Sequence, residues 1–512
     1  MSQDVFRAVN PATGAELDPL IREASPRYAA AAVGVAVEAF EQTQDLPPRW
    51  SADLLERIAD RIMDLGDALL DRGEAETALP QPRLTGERAR TTNQLKMFAA
   101  IVREGSWVDA VIDTADAKRQ PAPKPDLRRM LVPRGPVAVF GASNFPFAFG
   151  AVGGDTASAL AAGCPVVAKG HPSHPGTSQL FADAVAAAIA ELKLPKGLFA
   201  LLQGRSHELS GALVEHPDIT AVGFTGSLRA GRALFDLAAA RPVPIPVFAE
   251  MGSVNPLFVL PGAIAEKRDK IAADVAGSVL LGNGQFCTKP GLLFTIGDDA
   301  ELLAALRQRI AAQPAGTMHN PGLRESFTKQ INAMAAVPGV RAAAQSQPAG
   351  YAAVTPSLFE TDAATWKREH KLHEEAFGPA TLVVHCKDAT EAVDCIDHLE
   401  GSLTGTLHVG AGDDAAAEKL LRHLQAKVGR VIVNGYPTGV EVNAAIVHGG
   451  PYPATTDPGF TSVGSAAIAR WVRLIAYQDV PDALLPPALR DANPLVIERT
   501  IDGRRTRDAV NR

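Results

Sequence analysis

GPVAVFGASNFPFAFGAVGGDTASALAAGCPVVAKGHPSHPGTS, residues 135–178, decides the fold. It opens on an apolar run, Pro136–Phe140, which breaks into a Gly-Ala-Ser-Asn-Phe-Pro turn. A Gly/Ala-rich stretch follows that reads as a helix over Phe147–Ala162, then a second apolar run, Val166–Lys169. Short runs without polar alternation are what strands covered on both faces look like, and parallel sheets are covered on both faces. The rhythm continues outward. Strands are predicted at Leu198–Leu202, Ile219–Thr225 and Ile245–Glu250, with helices at Thr177–Leu192, Ser206–Glu215 and Leu228–Ala240 between them. This is the signature of a doubly wound α/β sheet, whose ligands bind beyond the carboxyl ends of the strands.

Upstream, Leu54, Leu55, Ile58, Ile62, Leu65 and Leu69 recur at spacings of three and four, predicting an amphipathic helix over Ser51–Arg72; another is expected over Leu84–Glu104. Pro121, Pro123 and Pro125 then interrupt the pattern with an exposed crossing segment. Downstream a second α/β series runs through strands Leu257–Leu260, Leu292–Ile296, Thr406–Val409 and Arg430–Val433 and helices Ile264–Leu281, Ala389–Asp397 and Asp413–Gln425. The apolar tail Ala466–Val480 reads as an arm that needs a surface to lie on.

Composition narrows the function. The chain has 512 residues and a net charge of −7, with 46% hydrophobic and 21% charged residues. A near-neutral balance argues against a nucleic-acid binder. No apolar stretch is long enough for a membrane span, and the first residues do not read as a signal peptide, so a cytoplasmic protein is expected. Four cysteines without a CxxC pair suit neither a disulfide framework nor structural zinc.

Six stretches at strand ends carry residues fit for chemistry. Asn144 stands in the first turn, where its amide can donate to a developing oxyanion or cap the helix that follows. Lys169 ends a buried strand, where its charge calls for an anion or for solvent. Gly226 and Ser227 open a helix after a strand, either as a phosphate nest or as an ordinary cap. Glu250 ends an apolar strand; desolvation there is expected to raise its pKa and suit it to work as a general base. Cys287 sits in a Gly-rich polar turn between Gln285 and Lys289, more accessible than a core thiol. Glu375 and Phe377 fall in HEEAFGPA, residues 373–380, as ribose acceptor and ring neighbour or as a solvated helix end with an apolar latch.

In this order the stretches resemble the aldehyde dehydrogenase superfamily over essentially the whole chain, and within it the α-ketoglutaric semialdehyde dehydrogenases. The segment quoted above and VNGYPTGVEVNAAIVHGGPYPATTDPGFTSVGSAAIARWVR, residues 433–473, carry the likeness. The resemblance implies two doubly wound α/β domains and a small β arm for oligomerisation. A dinucleotide-binding domain is expected over 1–118 and 136–254, a catalytic domain over 255–465, and the arm over 119–135 and 466–512. It implies Cys287 as nucleophile, Glu250 as general base and Asn144 as oxyanion donor. It further implies Lys169, Gly226 and Ser227 at the adenosine and pyrophosphate, Glu375 at the nicotinamide ribose and Phe377 beside the ring, with no metal. The expected reaction oxidises a short semialdehyde, 2,5-dioxopentanoate, to 2-oxoglutarate in a homodimer or homotetramer. Other aldehydes, and a cysteine esterase, are the alternatives.

Two departures from the family pattern are informative. Met251–Gly252–Ser253–Val254 replaces Leu-Gly-Gly-Lys after the base, as in the semialdehyde subgroup. The run Gly170–His171–Pro172–Ser173–His174 lacks the acid that NAD-preferring members use on the ribose, so NADP is expected to be accepted, with NAD the other choice and His171 or Arg205 favouring the 2′-phosphate. For the substrate carboxylate the sequence offers Arg88 and Arg90, with Thr92 one turn from Arg88; pairing with Glu87 or solvent is the competing reading.

Overall fold

Five parallel strands form the first sheet, in the spatial order Phe199–Leu202, Val166–Lys169, Val137–Phe140, Ala221–Thr225, Val247–Glu250. The structure, a computed structural model, describes residues 5–510 apart from 48, 346 and 348; the extreme ends of the first and last expected segments, 1–4 and 511–512, lie outside the described residues. Adjacent residues of one strand enter different cores. Val137, Val139, Val166 and Ala168 pack with Leu160, Phe181 and Val185, whereas Ala138, Val167 and Val222 pack with Val33, Leu209 and Leu213. Both faces are therefore covered, which is why the strands carry no polar alternation. The strand order turns about Val137–Phe140, and the crevice this opens at the carboxyl ends receives the loops after Phe140, Lys169 and Thr225.

The second sheet has seven strands in the order Arg341–Ala344, Ser357–Asp362, Ala380–Cys386, Leu292–Ile296, Leu257–Val259, Ser402–His408, Val428–Val433. Only the edge strand Arg341–Ala344 runs antiparallel. A third sheet joins Val472–Gln478, Leu127–Pro133, Val111–Asp113, Arg499–Ile501 and Arg504–Thr506. The tail strand Val472–Gln478 thus lies on Leu127–Pro133, directly after the proline-rich crossing. No helix among the described residues is long and apolar enough to cross a membrane.

Two local expectations are corrected. The helix expected over Phe147–Ala162 begins only at Gly154 and ends at Ala161. Residues 147–153 are held in turns because the buried Glu87 carboxylate accepts from the amides of Phe147 (2.8 Å) and Ala148 (3.0 Å). Gly150 and Gly153 press on the carbonyls of Pro146 and Ala148, where a Cβ would overlap. The helix expected over Ser51–Arg72 is two helices, Trp50–Asp64 and Gly66–Thr77. Gly66 adopts φ 56° at the break, and Arg88 donates to its carbonyl at 2.7 Å. An antiparallel hairpin, Val5–Val9 with Glu16–Arg22, precedes the helices of the first hundred residues.

One buried ion pair ties the tail to the helix Gly154–Ala161, which follows the strand Val137–Phe140. Arg470 (2% exposed) meets Asp155 (8% exposed) at 2.7 Å, and the Trp471 indole donates to Ser158 Oγ at 2.8 Å. Replacing Arg470 by Met would strand a buried carboxylate, a loss of about 3 kcal/mol or more. Urea denaturation of Arg470→Met should show this, and the Arg470→Met/Asp155→Asn double variant should recover part of it. A single-variant loss below about 1 kcal/mol would show that the pair does not anchor the tail.

Candidate active site

Glu250 closes the last strand of the first sheet with 3% of its surface exposed. A distant segment, residues 448–462, lies along that strand end: Met251 N donates to Ala454 O at 2.8 Å and Thr456 N to Ala249 O at 3.1 Å. This contact carries His448 and Ser462 to the carboxylate. His448 Nε2 sits 3.0 Å from Glu250 Oε1, and Ser462 Oγ donates to Oε2 at 2.6 Å. The same His448 Nε2 is 3.4 Å from Cys287 Sγ. Cysteine, histidine and carboxylate are also zinc-type ligands, but here they contact one another and Ser462 occupies the second carboxylate oxygen.

The electrostatics correct one expectation. Burial does push the Glu250 pKa upward, but His448, Ser462 and Cys287 together outweigh it and hold the carboxyl below its ordinary value. A strand-end position implies only desolvation; the imidazole comes from about 200 residues away in sequence. Burial and the adjacent Glu250 push the Cys287 thiol well above its ordinary value, with Arg90 pulling the other way. The resting pair is therefore a thiol beside a carboxylate, with an imidazole between them.

The turn that presents Cys287 is built by backbone freedom and one buried amide. The helix Pro261–Leu280 ends, and Gly282, Asn283 and Gly284 all take positive φ. Asn255 Nδ2 then donates to the carbonyls of Cys287 (2.8 Å) and Lys289 (3.0 Å), while its Oδ1 accepts from Ser253 and Thr404. Asn144 Nδ2 donates to Gln285 O at 3.1 Å, so its buried amide adjoins the cysteine turn and caps no helix. A second N–H on the same nitrogen remains for another acceptor.

The crevice of the first sheet collects the remaining candidates. Burial draws the Lys169 ammonium down to about 8, with Glu23 the group opposing that shift. Ser227 caps the helix Leu228–Ala239, its Oγ accepting from Ala230 N at 3.3 Å. Gly226 N donates to Glu250 O at 3.0 Å, and a Cβ at Gly226 would strike the Phe224 ring. Burial lifts Glu375 to about 7, against the pull of Lys289. Its carboxylate lies over Gly252, where a Cβ would come within 2.7 Å of Oε2. Lys289 donates to the carbonyls of Ala376 (2.9 Å) and Ala380 (2.8 Å), locking the Glu375 turn to the cysteine turn. Phe377 is half-buried in that turn.

His171 does not supply the positive charge expected of it. Burial, His174 and Lys169 hold it well below its ordinary pKa, and Nδ1 accepts from Ser173 N at 3.2 Å. Arg205 is exposed, three residues beyond Leu202, the register partner of Lys169. A buried ammonium, a capped helix N-terminus held close by Gly226, and a carboxyl group over a Gly turn fit a nicotinamide dinucleotide.

Cys287, Glu250 and Asn144 thus converge, Glu375 adjoins the turn after Glu250, and Lys169 and Ser227 stand at other strand ends of the same sheet. His448, Ser462 and Asn255 were not singled out in sequence. The one available signal for His448 is that it is the sole histidine in the turn-rich stretch 433–473.

The relationships of the chain agree with this geometry. The profile described as "Aldehyde dehydrogenase family" matches residues 1–451. The chain is 47% identical to alpha-ketoglutaric semialdehyde dehydrogenase 2 of Azospirillum brasilense, covering 98% of this chain and 97% of that one. It is 44% identical to alpha-ketoglutaric semialdehyde dehydrogenase of Acinetobacter baylyi, covering 92% and 90%. The 1-pyrroline-5-carboxylate dehydrogenase from Thermus with bound NAD has the same fold, with a TM-score of 0.79 at 21% identity over 93% of this chain and 90% of that one. With its paired α/β sheets and converging cysteine, histidine and glutamate, the chain belongs to the aldehyde dehydrogenase family and is an aldehyde-oxidising, NAD(P)-dependent oxidoreductase.

Proposed function

We propose that this enzyme oxidises 2,5-dioxopentanoate, the α-ketoglutaric semialdehyde, to 2-oxoglutarate, and that it accepts NADP as well as NAD. The observation that carries the substrate is the 47% identity, over nearly the whole of both chains, to a relative named for that reaction. Support for NADP comes from the loop after Lys169, which has no acid, and from Arg205 at the neighbouring strand end. A cysteine esterase finds no support, because ester hydrolysis needs no dinucleotide crevice.

The chemistry follows from the side chains. Cys287 gives its proton to the His448–Glu250 pair and attacks the aldehyde carbon, forming a thiohemiacetal. Asn144 takes the oxyanion with its free amide N–H. The bound nicotinamide nucleotide supplies the hydride acceptor. Lys169, Gly226 and Ser227 would hold its adenosine and pyrophosphate end, Glu375 its second ribose, and Phe377 would adjoin the ring. Cys287 is left as a thioester. The pair passes the thiol proton to solvent; Glu250, kept ionised by His448 and Ser462, then takes a proton from the attacking water and returns it to the departing thiolate as the acid leaves.

Assembly into a homodimer or homotetramer is supported by two edge strands, Val428–Val433 and Val472–Gln478, which expose Val433 (52%) and Leu474 (58%). A cytoplasmic location is supported by four unpaired cysteines.

Cys287→Ala should lose at least about 10³-fold in turnover while still binding the nucleotide, and Glu250→Gln should keep an acylation burst but slow the steady state by about 10²-fold. Surviving turnover in the alanine variant would remove Cys287 from the mechanism, and a lost burst with normal steady state would reverse the role of Glu250.

His448→Asn removes the group that holds the Glu250 pKa down. A base works only when deprotonated, so a raised pKa should move the acidic limb of deacylation to higher pH. A limb that stays in place or moves to lower pH would contradict the pairing. In a panel of semialdehydes and simple aldehydes with both nucleotides, 2,5-dioxopentanoate should give the highest kcat/KM, with NADP used at least one-tenth as well as NAD. A better alternative aldehyde sinks the substrate reading, and a stronger NAD preference sinks the nucleotide reading.

A further inference from the structure

The helix Gln81–Glu104 carries Arg83, Arg88 and Arg90, and the first two are committed. Arg88 donates to Gly66 O at 2.7 Å. Arg83 donates to Asn144 O at 3.2 Å, pairs with Glu87 at 3.8 Å and lies over the rings of Phe145 and Phe286. Arg90 differs. Its Nε and Nη2 are buried and have no hydrogen-bond partner among the described residues. Glu87, three residues earlier, gives one oxygen to the Phe147 and Ala148 amides, and its other oxygen accepts no hydrogen bond and faces Arg83 Nε at 3.8 Å. A buried guanidinium with two unmatched donors is costly in the empty protein and is relieved by an acceptor arriving from outside.

The surroundings indicate what that acceptor carries with it. The guanidinium stands 5.7 Å from the Phe145 ring centre and 5.4 Å from that of Phe149. These rings belong to an apolar cluster with Phe286 and Val463, edged by Val440 and Ile446. Phe286 precedes Cys287, and the Phe149 ring is 6.4 Å from that of His448. Apolar walls therefore connect the nucleophile to the Arg90 fork, with the already committed Arg83 guanidinium lying against Phe145 and Phe286. Methylene groups suit the walls, and a carboxylate suits a planar two-donor fork better than a point charge would.

We propose that Arg90 binds the remote carboxylate of the aldehyde substrate and so selects oxo-carboxylates with a short methylene chain over neutral aldehydes of equal length. The identity of that substrate rests on the function proposed above; the selection of an anion by Arg90 does not. Arg88 and Thr92 have no part in it: Thr92 Oγ1 bonds back to Arg88 O (3.2 Å) and Ala89 O (3.1 Å).

The test compares 2,5-dioxopentanoate, 5-oxopentanoate and pentanal on wild type, Arg90→Lys and Arg90→Met. The ratio of kcat/KM for each anion over pentanal should fall about 30-fold in Arg90→Met, mostly through KM, and Arg90→Lys should recover part of it. If the Met variant does not fold, the same ratio in Arg90→Gln decides. A ratio within threefold of wild type overturns the proposal. So does an equal loss on all three substrates accompanied by a shifted pH profile for iodoacetamide alkylation of Cys287, which would make Arg90 a partner of the thiolate. If wild type prefers 5-oxopentanoate to 2,5-dioxopentanoate but the ratio still collapses, the substrate assignment fails and the role of Arg90 stands.

Discussion

A carboxylate buried at the end of a β-strand must be compensated or protonated, and Glu250 is compensated. Its oxygens meet His448 at 3.0 Å and Ser462 at 2.6 Å, both delivered by one segment, 448–462, paired to the backbone of the strand. Everything that makes the site reactive depends on this arrangement. It holds the Glu250 pKa down, sets an imidazole against the Cys287 thiol and joins the first sheet to the chain beyond the second. Burial pushes this carboxyl upward, and the imidazole, with Ser462 and Cys287, brings it below its ordinary value.

Two further buried carboxylates perform the corresponding task for the loops. Glu87 fixes the turn after Asn144 through two backbone amides. Glu76 does the same at the start of the helix Pro175–Glu191, accepting from Gly176 N and Thr177 N at 2.8 Å each, with Arg72 at 2.6 Å. Both come from the helices that precede the first sheet. Those helices therefore do more than cover one face: charge-assisted bonds from their glutamates set the geometry of the two loops that emerge beside Val137–Phe140 and Val166–Lys169.

Much of the site could be read along the chain because its residues stand where strand periodicity breaks. Asn144, Lys169, Glu250 and Cys287 each follow a recognisable strand or helix, and a polar residue there invites a reason. His448, Ser462 and Asn255 follow no such break; they sit in irregular segments whose backbone is set by contacts with remote strands. The over-long helix at Phe147–Ala162 failed for a related cause. Its composition is helical, but Glu87, remote in sequence, claims the first amides and the glycines press on carbonyls. The arginines of the same region show the limit most clearly. Arg88 and Arg90 are alike in residue type and only two positions apart, yet one is spent on Gly66 and the other is left with unmatched donors.

The sequence by itself determined the layering: period and apolar runs are local, and they specify parallel strands covered on both faces together with the strand ends where polar residues collect. Only the tertiary structure decided the charge state of Glu250, the imidazole shared with Cys287 and which arginine is free to meet a ligand. Those properties are sums over neighbours supplied by distant segments, and electrostatic energy in a buried site depends on distance through space rather than along the chain.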